Sequence, residues 1–197
     1  AYLILETGKV FEGESFGAAA DSMGELVFTT GMTGLAESLT DPSYYGQIVI
    51  YTFPELGNYG ICLEDTESDE CRFRGVVARS FIDRPSNFRS EFSVDEYLKR
   101  HNIPGICGID TRELTQLIRE RGVVNAMITT RRPDAVPEAL HSYRVEKSVE
   151  NTSTPKPFVM PAEGDSLYSV ALLDYGAKIS IARSLIKRGC TVTVLPY

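Results

Sequence analysis

The most chemically reactive side chains in this sequence are its thiols and imidazoles. Among the 197 residues they belong to Cys62, Cys71, Cys107, Cys190, His101 and His141. No two cysteines stand in a C-x-x-C spacing, which gives a zinc site little support. A chain of this length with an ordinary core does not need a disulfide framework. We therefore expect reduced and mostly buried thiols, surface or structural histidines, and no metal site.

The charged residues indicate what the protein does not bind. The net charge is −7, which argues against a nucleic-acid partner or an anionic membrane surface. The densest run, EDTESDE from Glu64 to Glu70, lacks the glycine and the ligand spacing of a calcium loop, so we interpret it as a solvated loop between two strands. No apolar run approaches the ~20 residues that cross a bilayer, and the opening segment lacks a basic leader. We expect a cytoplasmic protein.

A segment from Phe28 to Val49 has the glycine punctuation of a turn or of a substrate-facing loop. It reads FTTGMTGLAESLTDPSYYGQIV, with a strand, a turn bounded by Gly31 and Gly34, a short amphipathic piece, a turn ending at Ser43, and a second strand. Glycine permits positive φ or close backbone approach, which either kind of loop uses. No Gly-Lys-Ser/Thr follows, so the segment is not a phosphate loop. From the residues alone a plain turn is favoured, and Ser43 closes a proline turn.

The elements that would position these residues change along the chain. Short segments rich in Val, Ile, Phe and Tyr predict strands at Tyr2–Leu5, Glu25–Thr30, Gln47–Phe53, Arg74–Asp83 and Asn125–Thr130. Ser93 and Glu96 form a capping-box pair, which predicts a helix start. Asp110 caps a second predicted helix, which Gly122 can end. A third, short helix is predicted at Pro133–His141.

A change of composition predicts a domain boundary. Residues 145–167 contain three prolines and many polar residues without a hydrophobic period, which is typical of an interdomain linker. A strand, a helix and a strand follow, at Tyr168–Asp174, Ile179–Arg188 and Thr191–Pro196. Two parallel strands cannot cover their own faces. We therefore predict an α+β domain at residues 1–144, a linker at 145–167, and the incomplete start of an α/β domain at 168–197.

The glycine-punctuated segment has companions elsewhere in the chain. Its text M-T-G-x-x-E-x-L-T-D-P-S-Y-x-G-Q-I-V is followed by stretches at Asn58–Gly60, Ser86–Arg89, Tyr97–Ile103, Gly108–Thr115, Asp174–Lys178 and Arg188–Cys190. In this order they resemble the carbamoyl-phosphate synthase small chain, and the last two match the start of its amidotransferase domain. The chain departs from the family's usual residues at Thr29, Gly31, Leu35-Ala36 and Ile179-Ser180.

The resemblance implies a fold and an activity. The first domain would take the small chain's layered β/β/α fold, and the second would be a flavodoxin-like amidotransferase domain. In the complete protein a cysteine thiolate would attack the side-chain amide of glutamine, a histidine oriented by a carboxylate would move protons, and ammonia would pass to a large subunit. There ammonia, bicarbonate and ATP would give carbamoyl phosphate for arginine or pyrimidine synthesis. ATP and Mg belong to the large subunit, and the resemblance implies no cofactor for this chain.

One site residue carries over by resemblance. Ser43 occupies the family position that reaches bound L-glutamine, where a hydroxyl can donate to a carboxylate or accept from an ammonium. The nucleophile belongs on a strand-turn-helix elbow beyond Tyr197, and none of the four cysteines matches it. The 197-residue chain is therefore expected to lack the catalytic cysteine, histidine and glutamate and to be inactive as a glutaminase.

Two functions of other classes stay open at this stage. The first is a non-catalytic module that only docks on the large subunit. The second is a nucleotide-binding α/β protein, suggested by the strand-to-helix turn at Asp174–Lys178, although this turn has one glycine and no G-x-G-x-x-G. The charged trio Asp110, Arg112 and Glu113 resembles a site, but capping of a helix by Asp110 explains its spacing equally well.

Overall fold

The computed structural model describes residues 1–197 and has a mixed α/β fold. Its strands are β1 (Tyr2–Leu5), β2 (Val10–Glu12), β3 (Glu14–Gly17), β4 (Ser22–Thr29), β5 (Gln47–Tyr51), β6 (Glu55–Leu56), β7 (Gly75–Val77), β8 (Ser80–Phe81), β9 (Pro104–Cys107), β10 (Val124–Thr129), β11 (Phe158–Met160), β12 (Tyr168–Asp174) and β13 (Cys190–Pro196). Its α-helices are α1 (Leu35–Leu39), α2 (Val94–Arg100), α3 (Thr111–Arg121), α4 (Glu138–Ser142), α5 (Ser148–Thr152) and α6 (Ile179–Ile186). None of these helices is long and apolar enough to cross a bilayer.

Eight strands form the main sheet, in the order β2-β1-β10-β4-β5-β7-β9-β3. The central strands β4, β5, β7 and β9 run parallel to one another, and the outer pairings are antiparallel. A parallel centre is normally buried on both faces and has a continuously apolar sequence. The buried run Ile48–Tyr51 of β5 fits this rule.

The main sheet has a hydrophobic core on each face. Because side chains alternate along a strand, Val49 joins the core that packs against α1 and α2, whereas Ile48 joins the core that packs against α3. Leu98 of α2 and Leu114 of α3 are fully buried on these opposite sides. The first face is covered by α1, α2 and the two-stranded sheet of β6 and β8, and the second face is covered by α3.

Both predicted helix starts are confirmed in atomic detail. The Ser93 hydroxyl accepts a hydrogen bond from the Glu96 amide at 3.2 Å, and the Glu96 carboxylate accepts from the Ser93 amide at 3.0 Å. Asp110 Oδ1 accepts from the next two free amides of α3, each at 3.0 Å. Gly122 ends α3 with φ of 87°, a value that L side chains rarely adopt.

The last part of the chain forms a three-stranded sheet, in the order β11-β13-β12, which we call the C-terminal sheet. The parallel pair β12 and β13 with α6 between them is the predicted β-α-β unit. Ala182 of α6 packs on Val192 and Val194 in a small separate core.

Residues 145–167 contain more regular structure than their composition predicts. They include α5 and β11, and β11 pairs antiparallel with β13 at the edge of the C-terminal sheet. A strand of three residues is too short to display an alternating pattern. Pro157 and Pro161, on either side of it, also argue against a strand. Proline is tolerated beside an edge strand because the outer backbone groups face solvent. The C-terminal sheet therefore starts at Phe158, before the predicted boundary at Tyr168.

Candidate functional site

Ser43 lies in a short 3-10 turn between α1 and β5. Asp41 caps this turn, and its Oδ1 atom accepts hydrogen bonds from the Ser43 amide at 2.9 Å and from the Ser43 hydroxyl at 2.5 Å. Ser43 is exposed, whereas Asp41 is buried. We call residues 41–44 the serine turn. The Ser43 residue of this turn is exposed to solvent, and its hydroxyl is held by a hydrogen bond to the buried Asp41 carboxylate.

The second oxygen of Asp41 binds a lysine from the C-terminal part of the chain. Lys178 Nζ lies 2.7 Å from Asp41 Oδ2. Burial of Asp41 opposes its ionisation, but the hydrogen bonds from Lys178 and Ser43 outweigh burial and hold the pKa of Asp41 below its usual value. The hydrogen bond to Asp41 raises the pKa of Lys178. Both groups are therefore charged at neutral pH, and the ion pair joins the serine turn to the C-terminal sheet.

Lys178 ends a tight turn that follows β12 and that we call the Asp174 turn (residues 174–178). Asp174 Oδ1 accepts from the Gly176 and Ala177 amides at 3.0 and 2.8 Å, and its Oδ2 accepts from the Thr154 amide at 2.6 Å. Gly176 has φ of 91°, and a Cβ there would lie 2.7 Å from Thr152 Oγ1. Glycine is required at this position by both conformation and space.

The serine turn and the Asp174 turn face each other. A Cβ on Gly176 would lie 3.5 Å from Pro42 Cβ, which is ordinary contact distance. In open parallel α/β sheets, ligands bind at the carboxyl ends of the strands, and the Asp174 turn occupies that end of β12. A cavity of about 320 Å³ lies beside the contact and is lined by both turns, by α5 and by residues 66–70.

The prediction of a solvated loop at Glu64–Glu70 is wrong for Glu67. Glu67 is 8% exposed and does not belong to a solvated loop. Its carboxylate accepts from the Ser180 amide at 3.0 Å, and its carbonyl oxygen accepts from the Ile179 amide at 3.0 Å. No signal within the acidic run identifies Glu67. The sequence indicates only that α6 starts without an acceptor of its own, because the N-cap residue Lys178 offers none.

A second cavity, of about 520 Å³, is lined in part by the glycine-punctuated segment, Phe28–Val49. Its walls include residues 31–35 and the Tyr51 phenol, which shares a 2.7 Å hydrogen bond with Ser38. Burial raises the pKa of Tyr51, so the phenol stays neutral at any physiological pH. This cavity is separate from the serine turn, since neither Ser43 nor Asp41 lines it.

None of the cysteines has the environment of a nucleophile. All four are free thiols, and only Cys71 is more than slightly accessible. Burial raises the pKa of Cys62 and Cys107, and raises the pKa of Cys71 to about 12. A thiol with a raised pKa supplies little thiolate for attack at neutral pH. Cys190 packs in the core of the C-terminal sheet.

Two members of the charged trio at the start of α3 have structural roles. Asp110 caps the helix, and Glu113 pairs with Lys9 on the protein surface. No group of three or more His, Cys, Asp or Glu side chains is arranged to hold a metal ion.

The sequence matches one protein family over most of its length. A model of the family described as carbamoyl-phosphate synthase small chain, CPSase domain, matches residues 3–128. The carbamoyl phosphate synthase small chains of Listeria innocua and Clostridium perfringens are each 45% identical over 199 residues, and that of Oceanobacillus iheyensis is 46% identical over 198. These alignments cover 99%, 100% and 99% of this chain and 54%, 56% and 53% of those proteins. The chain spans about half the length of the curated relatives it matches.

The likeness to one solved structure is weak. An aminopeptidase from Aneurinibacillus sp. strain AM-1 is 11% identical with a TM-score of 0.38, over 98% of this chain and 47% of that chain. This likeness carries no argument about fold or function.

Proposed function

The chain belongs to the carbamoyl-phosphate synthase small chain family, and from this premise we propose that the whole protein hydrolyses glutamine and delivers ammonia to a large synthetase subunit. The large subunit would combine that ammonia with bicarbonate and ATP to make carbamoyl phosphate, for arginine or pyrimidine synthesis in the cytoplasm. The single observation that best supports a glutamine site in this part of the chain is the Asp41–Lys178 ion pair. It brings the serine turn to the carboxyl end of β12, where α/β proteins bind ligands.

We assign Ser43 the role of a glutamine contact. Ser43 is exposed, and Asp41 fixes the position of its hydroxyl by accepting a hydrogen bond from it, with 2.5 Å between the two oxygen atoms. With its own proton directed to Asp41, the Ser43 oxygen keeps lone pairs that can accept from the ammonium group of an amino-acid substrate. The serine turn would thus bind glutamine without taking part in bond cleavage.

The bond-breaking groups would lie beyond Tyr197. A thiolate there would attack the side-chain amide carbon, a histidine would give a proton to the departing nitrogen, and water would then release glutamate from the thioester. The raised thiol pKa values of Cys62, Cys71 and Cys107 agree with this assignment. Residues 1–144 would form the small-chain N-terminal domain, in its layered β/β/α fold, and the C-terminal sheet would be the start of a flavodoxin-like amidotransferase domain. The 197-residue chain alone would bind the large subunit without hydrolysing glutamine.

The test compares two nitrogen donors. The full-length protein is purified with its large subunit, and carbamoyl phosphate formation from ATP and bicarbonate is measured with glutamine and with ammonia. We expect synthesis with both donors, and loss of only the glutamine-dependent rate when the small subunit is left out. Equal rates from glutamine with and without the small subunit would refute the proposed role.

A further inference from the structure

The N-terminus of α6 is attached to the main-sheet part of the chain by consecutive residues. Lys178 pairs with Asp41, the Ile179 amide donates to the Glu67 carbonyl, and the Ser180 amide donates to the Glu67 carboxylate. The carboxylate comes from a residue 113 positions away in the sequence. We propose that Glu67 is a positioning residue, which caps α6 from outside the C-terminal sheet and thereby sets the position of the Asp174 turn opposite Ser43.

The burial of Glu67 needs a compensating interaction. A carboxylate that leaves water loses hydration and is normally paired with a cation when buried. Glu67 forms no salt bridge in this structure, and its partner is the free amide of the first turn of α6. The positive end of a helix dipole stabilises an anion at this position. Glu67 also lies near enough to Lys178 that its charge helps to raise the pKa of that lysine.

The loop that carries Glu67 is itself hydrogen-bonded to Thr40, the residue that precedes the serine turn. The Glu67 amide donates to Thr40 Oγ1 at 2.8 Å, and the Ser68 hydroxyl donates to the Thr40 carbonyl at 2.6 Å. Thr40 is 1% exposed and donates in turn to the Ala36 carbonyl of α1 at 2.7 Å. Thr40 directly precedes Asp41, so the cap of α6 and the cap of the serine turn belong to one hydrogen-bonded network.

The first turn of α6 lacks an acceptor of its own. Lys178 is the N-cap residue and makes no side-chain cap hydrogen bond. Without the Glu67 carboxylate the Ser180 amide would lose its protein partner. The attachment would then rest on the Lys178 pair, on the backbone hydrogen bond from Ile179, and on the hydrogen bonds that the exposed Arg183 donates to the carbonyl oxygens of residues 64 and 66. A lysine with 42% of its side chain exposed tolerates several geometries. The hydrogen bond from the Ser180 amide to the Glu67 carboxylate is therefore the side-chain contact that fixes the orientation of the first turn of α6.

This inference rests on the proposed glutamine site for its kinetic consequence, but the cap itself can be tested without it. The experiment uses the full-length protein with its large subunit and compares Glu67→Ala, Glu67→Gln and the control Glu120→Ala. Glu120 is exposed on α3, lines neither of the two cavities described above, and its side chain makes no hydrogen bond or ion pair in the structure. The measurements are amide hydrogen exchange, the thermal unfolding midpoint, and the apparent KM and kcat with glutamine and with ammonia.

We expect the Ser180 amide to exchange about 5- to 30-fold faster in Glu67→Ala, the factor that corresponds to loss of a helix cap. Glu67→Gln keeps an acceptor oxygen but loses the charge, so its effect should be smaller. The apparent KM for glutamine should rise in the same order, while the ammonia-dependent rate and the exchange of β5 amides stay unchanged. Glu120→Ala should behave like the unmodified protein.

Two outcomes would overturn the inference. One is unchanged exchange at Ser180 in a folded Glu67→Ala variant. The other is a fast-exchanging Ser180 amide together with unchanged glutamine kinetics, because the cap would then have no bearing on the site. If the unmodified protein does not use glutamine at all, the proposed function fails, and the exchange result still decides whether Glu67 caps α6.

Discussion

Replacing Asp41 by asparagine tests whether the ion pair to Lys178 holds the two turns together. Asparagine keeps one oxygen that can accept from Ser43, but it presents an amide group to Lys178 in place of the second carboxylate oxygen. The substitution therefore isolates the contact at 2.7 Å. A hydrogen bond between charged groups contributes about 1.5–3 kcal/mol. Because 42% of the Lys178 side chain is exposed, water recovers part of this, and we expect the free energy of unfolding to fall by about 1–2 kcal/mol.

This loss should be visible in thermal unfolding of the 197-residue chain. For a chain of this size, about 1–2 kcal/mol lowers Tm by roughly 2–8 °C. A double-mutant cycle with Lys178→Met, which keeps the aliphatic stem, should give a coupling energy of about 1 kcal/mol. The exposed pair Lys9–Glu113 has 43% and 48% of its two side chains accessible, and the cycle of Lys9→Met with Glu113→Gln provides the control. Its coupling should be close to zero.

The pH dependence has a defined sign. The pKa of Asp41 in the folded protein lies below the ordinary value of 3.8, so its contribution to stability is present above that value and is lost as the pH falls through the folded pKa. The pKa of Lys178 lies above 10.5, so its contribution is present below that value and is lost as the pH rises through the folded pKa. Asp41→Asn should flatten the loss of stability on the acid side. A coupling energy of zero at pH 7 with an unchanged acid limb would refute the ion pair.

Three further predictions follow from the site and the core. Ser43→Ala in the full-length protein should raise the apparent KM for glutamine by about ten- to hundredfold, with ammonia-dependent synthesis retained; an equal loss with both donors and a lowered Tm would make Ser43 structural. The purified 197-residue chain should release no ammonia from glutamine above background, and thiol-dependent release would contradict the placement of the nucleophile beyond Tyr197. Gly105→Ala should destabilise the protein by about 1–3 kcal/mol, because a Cβ there would lie 2.5 Å from the Phe16 ring, whereas Gly31→Ala meets nothing closer than 3.6 Å and should leave Tm unchanged.

Local sequence signals predict the elements whose structure is locally determined. The strands Tyr2–Leu5 and Gln47–Tyr51 begin at the residues where the sequence predicts them to begin. The helices that follow Ser93 and Asp110 begin at those residues because both caps are made by side chains within three positions of the helix start. The signal and the interaction lie in the same few residues, so one sequence is enough.

Local sequence signals do not predict the elements that depend on distant partners. The strand Pro104–Cys107 contains Pro and Gly, both depleted in strands, yet it is wholly buried between its neighbours β7 and β3. Gly105 is needed there because the Phe16 ring occupies the space of a side chain. In the candidate site, only the resemblance identifies Ser43. The sequence does not identify Glu67, because nothing within its acidic run distinguishes it from exposed neighbours and its partner lies far along the chain.

The order of strands in the C-terminal sheet restricts where that sheet can be extended. Its central strand is β13, and one outer strand, β11, is flanked by Pro157 and Pro161 and runs antiparallel to its neighbour. Prolines and a short length discourage a further strand from adding on that side. The opposite border, along β12, has a full seven-residue strand with one side unoccupied. A further parallel strand would pair with β12 on that side. The loop after it would lie next to Asp174, on the same side of the protein as Ser43.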